Sequence, residues 1–166
     1  MSDADQIVEL IPRLRRYARA LIGDRAAADD LVQDTLERAW VKLHLYRPGT
    51  NLRAWLFTVM HNVHVNKIRS RRADEPLDEE MQELASSVPQ ADSLLLRDLD
   101  RALTRLPDEQ REVLLLVVLE DMSYEETART LEIPVGTVMS RLSRAREKLR
   151  AMLLGQLVSP KLLRVK

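Results

Sequence analysis

The chain has 166 residues and no cysteine, which leaves room for one domain or two small ones and excludes disulfides and thiolate metal sites. Its 31% charged and 4% aromatic composition indicates a soluble all-α protein, and the lack of thiols fits the reducing cytoplasm. The net charge of zero conceals an asymmetry that favours nucleic-acid binding, because residues 73–96 contain seven acidic and no basic side chains, whereas residues 135–166 contain eight basic and one acidic.

Three helices are predicted in the N-terminal part of the chain. Apolar side chains recur at helical spacing from Asp5 to Ile22, where Pro12 predicts a kink or a restart and Gly23 a left-handed cap. A second helix is predicted from Ala26 to about Leu45, with an apolar stripe along one side that includes Leu31 and Ala39. A third is predicted from Leu52 towards Ile68. The N-terminus lacks the pattern of a signal peptide, and no apolar run is long enough to cross a bilayer, so no membrane insertion is expected.

An acidic linker is predicted between two helical parts. Residues 73–93 contain two prolines, a serine pair and little apolar periodicity, which indicates a flexible segment. Helical spacing resumes from Leu94 to Leu106, and Pro107 starts a further helix. Near the end of the chain Gly155 and Pro160 interrupt the pattern, which predicts a short tail over residues 155–166.

The stretch from Ser123 to Leu149 has the pattern of a helix-turn-helix. Ser123 and Glu126 have the spacing of a capping box, and Pro134 suits the start of a second helix after a tight turn. The exposed face of that second helix begins with small and polar residues and continues with arginines. Such a face fits the major groove of DNA, although an ordinary helical hairpin with a solvated face has the same pattern.

Two stretches resemble conserved regions of the extracytoplasmic-function (ECF) group of bacterial sigma factors. The resemblance to the fourth region lies in LPDEQREVLLLVVLEDMSYEETA followed by PVGTVMSRLSRAREKL. The resemblance to the second region lies in DDLVQDTLERAW followed by PGTNLRAWLFTVMHN. The two stretches occur in the order that the family requires. The resemblance implies two small helical domains: a region-2-like domain at 1–72, the linker at 73–93, and a helix-turn-helix domain of the region-4 type at 94–154.

The resemblance also implies which residues contact the two promoter elements. The contacts implied for the −35 element lie on the predicted recognition helix: Thr137, Met139, Ser140, Arg141, Ser143 and Arg144. Contacts to a melted −10 element, with a flipped base held by the protein, are implied for Asn62, Val63, His64, Asn66, Lys67 and Arg71. By the same resemblance, Val63 to Lys67 occupy the specificity loop of the family. Two positions depart from the family: His61 replaces an arginine, and Met139 replaces a lysine or arginine, which favours an apolar contact with thymine.

A polymerase-binding surface is implied for the second predicted helix. In the family this helix packs against the clamp helices of the largest RNA polymerase subunit, and the matching positions here are Asp30, Leu31, Gln33, Asp34 and Glu37. For Asp29 and Asp30 the alternative is a favourable interaction with the positive end of the helix dipole. Trp55 and Phe57 are expected in the core rather than against a base, and a helix cap is the alternative role of Asn62.

The sequence predicts no enzyme and no cofactor. It contains no nucleophile elbow and no phosphate loop, and His61 and His64 have no third metal ligand near them in sequence. The resemblance implies core RNA polymerase, promoter DNA and an anti-sigma factor as partners, with the free chain a monomer and the linker threaded through polymerase. A free-standing helix-turn-helix repressor or activator is the alternative, although such proteins usually dimerise and residues 1–72 would then be unexplained. An enzyme with a regulatory DNA-binding module is a weaker rival.

Overall fold

The computed structural model describes residues 1–74 and 94–157, and every regular element in these two ranges is helical. The N-terminal module comprises α1 (Asp3–Ile22), α2 (Arg25–Lys42), a 3₁₀ turn (Leu43–Leu45) and α3 (Leu52–Asp74). The C-terminal module comprises α4 (Leu94–Arg105), α5 (Asp108–Leu114) with a π-helical continuation (Leu115–Leu119), α6 (Tyr124–Leu131) and α7 (Val135–Leu157). The all-α prediction is confirmed. Among the described helices, none combines the length and the apolar character that a membrane span needs.

The helix ends in the N-terminal module follow from local chemistry. Ser2 and Asp5 form a capping box at the start of α1, and Gly23 ends that helix with φ 82° and an N–H that donates to the Arg19 carbonyl. The predicted glycine cap is therefore confirmed. Pro12 lies inside α1, so the helix does not restart there. Asp24 then caps α2 by accepting the Ala27 N–H at 3.1 Å.

The helix-turn-helix forms where the sequence predicts it. At the start of α6, the Ser123 hydroxyl accepts the Glu126 N–H at 3.1 Å, which is one of the two bonds of the predicted capping box. Glu132 ends α6 in the left-handed conformation with φ 56°, and α7 starts after Pro134. The tight turn thus uses a left-handed cap followed by a proline-led helix start.

Two helix ends in the structure differ from the predicted ones. The third helix runs beyond Ile68 to Asp74 and takes in the first two positions of the predicted linker. The predicted break at Gly155 does not occur, because α7 continues through it to Leu157. The remainder of the linker prediction, at 75–93, and of the tail prediction, at 158–166, lies outside the described residues.

The two modules share one apolar core. Helix α1 packs against α4 and α5, while α3 packs against α6, so each module covers part of the other. Phe57 is buried and meets the Tyr17 ring edge-on, with ring centroids 5.0 Å apart, as expected for a core residue. Trp55 is half-buried and packs against Tyr46, with ring centroids 5.5 Å apart. Both aromatic residues of the WLFT stretch therefore contribute to packing.

The close approach of the modules gives Gly23 a second role, which a substitution tests. A Cβ at Gly23 would lie 3.1 Å from the Thr104 methyl group of the C-terminal module, whereas a Cβ at Gly49 would meet no atom within 4 Å. Both glycines have a positive φ, so alanine at either position costs about 1–2 kcal/mol from backbone strain. We expect Gly23→Ala to lower the free energy of unfolding more than Gly49→Ala does, as measured by urea denaturation. Equal losses would show that Thr104 moves aside without cost.

Candidate nucleic-acid interface

The predicted recognition helix presents an exposed polar face. Val138, Leu142 and Ala145 are buried towards the core, which directs the opposite face of α7 outward. Four of the predicted −35 contacts lie on that exposed face: Met139, Ser140, Ser143 and Arg144. Thr137 and Arg141 are half-buried, because they lie at the margin of the apolar stripe.

The surroundings of this face are open and basic. Met139 is 53% exposed and lines a shallow groove between α6 and α7 with Tyr124, Ser143 and Arg146. Arg141 is already paired, since its guanidinium lies 3.6 Å from the Glu109 carboxylate of α5. Exposed arginines and a neutral groove floor suit phosphates and base edges respectively.

The predicted −10 residues are divided between two faces of α3. Asn62, Asn66 and Arg71 are exposed, and the two asparagines lie one turn apart on the same side. Val63 and His64 are buried, and His64 faces Asp108 of the C-terminal module, so neither is open to DNA in this arrangement. Asn62 lies mid-helix, which removes the alternative that it caps a helix end.

The segment matched to a specificity loop is helical. The match to the family predicts a loop at Val63 to Lys67, yet these residues lie within α3. No glycine or proline interrupts residues 52–74, and apolar side chains continue at helical spacing, so nothing in the local sequence ends the helix. The loop prediction is wrong for this arrangement of the chain.

The predicted polymerase-binding residues are partly exposed. Asp30, Gln33 and Glu37 are exposed on α2 and Asp34 is half-buried, but Leu31 is 1% exposed and faces the core. A buried leucine cannot contact a partner here, so Leu31 is corrected to a core residue. Its place in the apolar stripe of α2 already indicated this.

Lys67 joins the two sets of predicted residues. Its ammonium lies 2.6 Å from the Asp30 carboxylate and 2.5 Å from that of Asp34. Burial by itself would lower the pKa of Lys67, but hydrogen bonds and charge from the two aspartates raise it above its ordinary value. In this arrangement Lys67, a predicted −10 contact, is therefore paired with Asp30 and Asp34, which are predicted polymerase contacts. The two aspartates lie 37 and 33 residues from Lys67 in sequence, so no local pattern indicates this pairing.

Two imidazoles of the N-terminal module face two carboxylates of the C-terminal module. His61 Nδ1 lies 3.0 Å from Glu112 Oε1, and His64 Nε2 lies 3.2 Å from both oxygens of Asp108. We call these four residues the His–carboxylate cluster. Burial would raise the pKa of Asp108, but the His64 hydrogen bond and the charges of His64, Arg111 and His61 hold it below its ordinary value.

Arginines form the rest of the polar interface between the modules. Arg16 lies 3.4 Å from a carboxylate oxygen of Glu120, and Arg53 donates to the Glu120 backbone carbonyl. Burial raises the pKa of Glu120, and the nearby arginines oppose that shift. Arg111 of α5 reaches across to donate to the Leu21 carbonyl at the end of α1. Of the polar residues at this interface, the sequence singles out His61 and His64 and not the others, because each of the others looks like an ordinary helix-surface charge.

Comparisons with known proteins identify both modules separately. Residues 7–61 match the family model described as the Sigma2 domain of PhyR, and residues 96–149 match Sigma-70, region 4. The ECF RNA polymerase sigma factor EcfG of Rhodopseudomonas palustris is 42% identical over 151 residues, which cover 90% of this chain and 83% of that protein. The matched ranges fall within the two predicted domains.

Solved structures resemble the whole described fold. The sigma factor RpoE of Bartonella quintana, solved in complex with the anti-sigma factor NepR, is 35% identical with a TM-score of 0.76, over 90% of this chain and 95% of that one. CnrH, solved in complex with the cytosolic domain of CnrY, is 30% identical with a TM-score of 0.64, over 91% of this chain and 86% of that one. The similarity therefore extends across both modules.

Proposed function

Since the chain belongs to the ECF group of bacterial RNA polymerase sigma factors, we propose that its two modules divide promoter recognition between them. The chain binds core RNA polymerase and directs promoter-specific initiation of transcription. The N-terminal module (1–72) binds polymerase and melts the −10 element, and the C-terminal module (94–154) reads the −35 element. The protein is an initiation factor, and the polymerase supplies the chemistry of RNA synthesis.

Recognition of the −35 element rests on the exposed face of α7. Ser140 and Ser143 are small enough to let the helix enter the major groove, and Arg144 reaches a phosphate or a guanine edge. Met139 provides an apolar surface for a thymine methyl group. This face, exposed while Val138, Leu142 and Ala145 on the opposite side of α7 are buried in the core, is the single observation that supports the proposal most strongly.

Recognition of the −10 element rests on the exposed amides of α3. Asn62 and Asn66 each carry a paired donor and acceptor, which suits the edge of an unstacked base. Arg71 lies two and a half turns beyond Asn62, on the opposite side of α3, where its exposed side chain contacts a backbone phosphate. Val63, His64 and Lys67 join this surface only when their present partners release them.

Polymerase and an anti-sigma factor compete for the chain. The acidic and amide residues of α2 offer a surface for a basic partner, since such charges steer association. RpoE of Bartonella quintana and CnrH were solved with anti-sigma partners, and their similarity to both modules supports an anti-sigma factor for this chain as well. The free chain is a monomer in this proposal.

The test is run-off transcription with purified core RNA polymerase over a library of promoter fragments, with and without the protein. We expect specific transcripts only when the protein is present, each preceded by a shared −35 and −10 sequence. A protein that binds duplex DNA alone but neither binds the core enzyme nor redirects it would overturn the proposal in favour of a helix-turn-helix repressor.

One substitution on α7 tests the assignment of the −35 face. We expect Arg144→Ala to weaken binding to a −35 duplex and to reduce the slope of log K against log salt by about 1, if Arg144 contacts a phosphate. Fluorescence anisotropy at several salt concentrations measures both. The matched control is Arg38→Ala, which removes the same charge from an exposed position of the other module. Equal effects of the two substitutions would contradict a contact at Arg144.

A further inference from the structure

The His–carboxylate cluster consists of two pairs of residues at helical spacing, one pair on each side of the module interface. His61 and His64 lie three residues apart on α3, and Asp108 and Glu112 lie four residues apart on α5. Residues at these spacings share a helix face, so each helix presents a pair of donor groups to the other. The donor atoms of His64, Asp108 and Glu112 lie within 4.8 Å of one another, and His61 Nδ1 lies 3.0 Å from Glu112.

We propose that this cluster binds a divalent transition-metal ion such as Zn²⁺ and holds it between the two modules. The imidazole of His64 and the carboxylates of Asp108 and Glu112 are three donors of the types that zinc accepts, and a water molecule would complete a four-coordinate site. Around a tetrahedral ion with bonds of 2.0–2.2 Å, neighbouring donor atoms lie about 3.3–3.6 Å apart. His64 Nε2 lies 3.2 Å from Asp108, which is close to that spacing, and the Glu112 donor atom lies within 4.8 Å of both.

The orientation of the donor groups supports coordination. His64 Nε2 is equidistant from both Asp108 oxygens, so the carboxylate presents its two oxygens towards the imidazole. The side chains of His64 and Glu112 are 6% and 7% exposed, while Asp108 is 38% exposed. Two of the three donors thus lie largely shielded from water, and Asp108 opens a path from solvent.

The electrostatic surroundings favour a cation. Two carboxylates of the cluster face one fixed positive charge, Arg111, whose guanidinium lies 3.7 Å from Asp108. That guanidinium is engaged by four backbone carbonyl groups, so it neutralises the carboxylates only in part. The pKa of the neighbouring Tyr17 phenol is raised by burial and then by the charges of Glu112, Asp108 and Glu120. A divalent ion would relieve this excess of negative charge.

An ion at this site would stabilise the packed arrangement of the modules. Because the N-terminal module supplies His64 and the C-terminal module supplies Asp108 and Glu112, the complete site exists only when α3 and α5 face each other. An ion that binds only that arrangement stabilises it by mass action, in proportion to its concentration relative to Kd. The free chain is therefore more resistant to thermal unfolding when the ion is bound.

A consequence for transcription follows, and it rests on the proposed function. The −35 and −10 elements are separated by about 25 base pairs, or about 85 Å of duplex at roughly 3.4 Å per base pair. A compact chain of this size is only about 40 Å across. The packed modules therefore cannot contact both elements at once, and an ion that holds them together inhibits initiation.

The binding experiment uses the purified full chain, stripped of metal, and Co²⁺ as the probe. We expect one equivalent of Co²⁺ to produce the visible ligand-field bands of a four- or five-coordinate site, and Zn²⁺ to displace it. His64→Gln and, separately, Asp108→Asn should each weaken binding by at least about tenfold, because even outer-shell partners of a metal are worth that much. His44→Gln is the matched control, since His44 is exposed in the N-terminal module and lies outside the cluster.

Each outcome decides between the ion site and a hydrogen-bonded cluster. Circular dichroism first establishes that the variants are folded, and the two variants alter different modules. An absence of Co²⁺ bands, or bands that survive both substitutions, would overturn the site and leave the four residues as hydrogen-bonded pairs. Loss of the bands in both variants, with His44→Gln unchanged, would establish it.

The transcription arm separates this inference from the proposed function. We expect micromolar Zn²⁺ to lower specific run-off transcription by the wild type more than by Asp108→Asn, which alters no proposed promoter or polymerase contact. A failure of transcription in Mg²⁺ buffer without added Zn²⁺ would overturn the proposed function and leave the Co²⁺ result standing. Equal inhibition of both proteins would overturn the regulatory consequence.

Discussion

Replacing Arg111 with alanine is expected to lower the free energy of unfolding by about 2–5 kcal/mol, the cost of removing one partner from a buried, hydrogen-bonded charged group. Its guanidinium is 12% exposed and donates to the carbonyl groups of Leu103, Thr104 and Leu106 at 2.6–2.8 Å. A fourth bond, 2.8 Å long, reaches the Leu21 carbonyl of the N-terminal module. The substitution leaves these carbonyl groups without their charged donor.

Urea denaturation followed by far-UV circular dichroism measures the loss. Arg105→Ala is the matched control, because Arg105 is exposed at the end of α4 and its removal should change the free energy of unfolding by less than about 0.5 kcal/mol. Arg111→Lys should recover little, since an ammonium carries three donors and lacks the planar fork that serves carbonyl groups in several directions. A fully stable Arg111→Lys variant would mean that charge alone matters at this position.

The role of Arg111 also shows what could be predicted from the sequence. Helical periodicity, Gly23 and Ser123 locate most helix boundaries, because these signals act within a few residues of the backbone groups they satisfy. Arg111 lies in a run of charged residues at the start of a helix and looks like a solvated side chain. Its partners lie up to 90 residues away, so its role depends on how the modules pack.

The same difference between local signals and long-range contacts determines which parts of the candidate sites could be predicted from the sequence. The exposed face of α7 could be predicted, because a helix-turn-helix fixes which residues of its second helix point outward. The His–carboxylate cluster could not, since His61 and His64 lie 44–51 residues from Asp108 and Glu112. Leu31 illustrates a third case, in which the family match and the apolar periodicity disagreed and the periodicity was correct.

Phe57→Ala is expected to destabilise the chain by about 3–5 kcal/mol, the usual cost of removing a buried aromatic ring. The side chain is 2% exposed, and its neighbours Leu56 and Met60 are fully buried. The edge-on contact with Tyr17 contributes about 0.5–1.5 kcal/mol of this beyond the area buried. Trp40→Ala is the control: the indole of Trp40 is 65% exposed, so its loss should cost little stability.

This substitution also decides between two roles for the WLFT stretch. A phenylalanine that stacked on a flipped base would be dispensable for folding, and Phe57→Ala would impair promoter melting without changing the denaturation midpoint. A core phenylalanine gives the opposite result: the midpoint falls sharply, while Phe57→Leu retains most of the stability because it fills most of the volume. Because the modules share one core, the loss of stability should appear as a shift of a single unfolding transition. A separate, earlier unfolding transition of the N-terminal module would mean that the shared core is not maintained in solution.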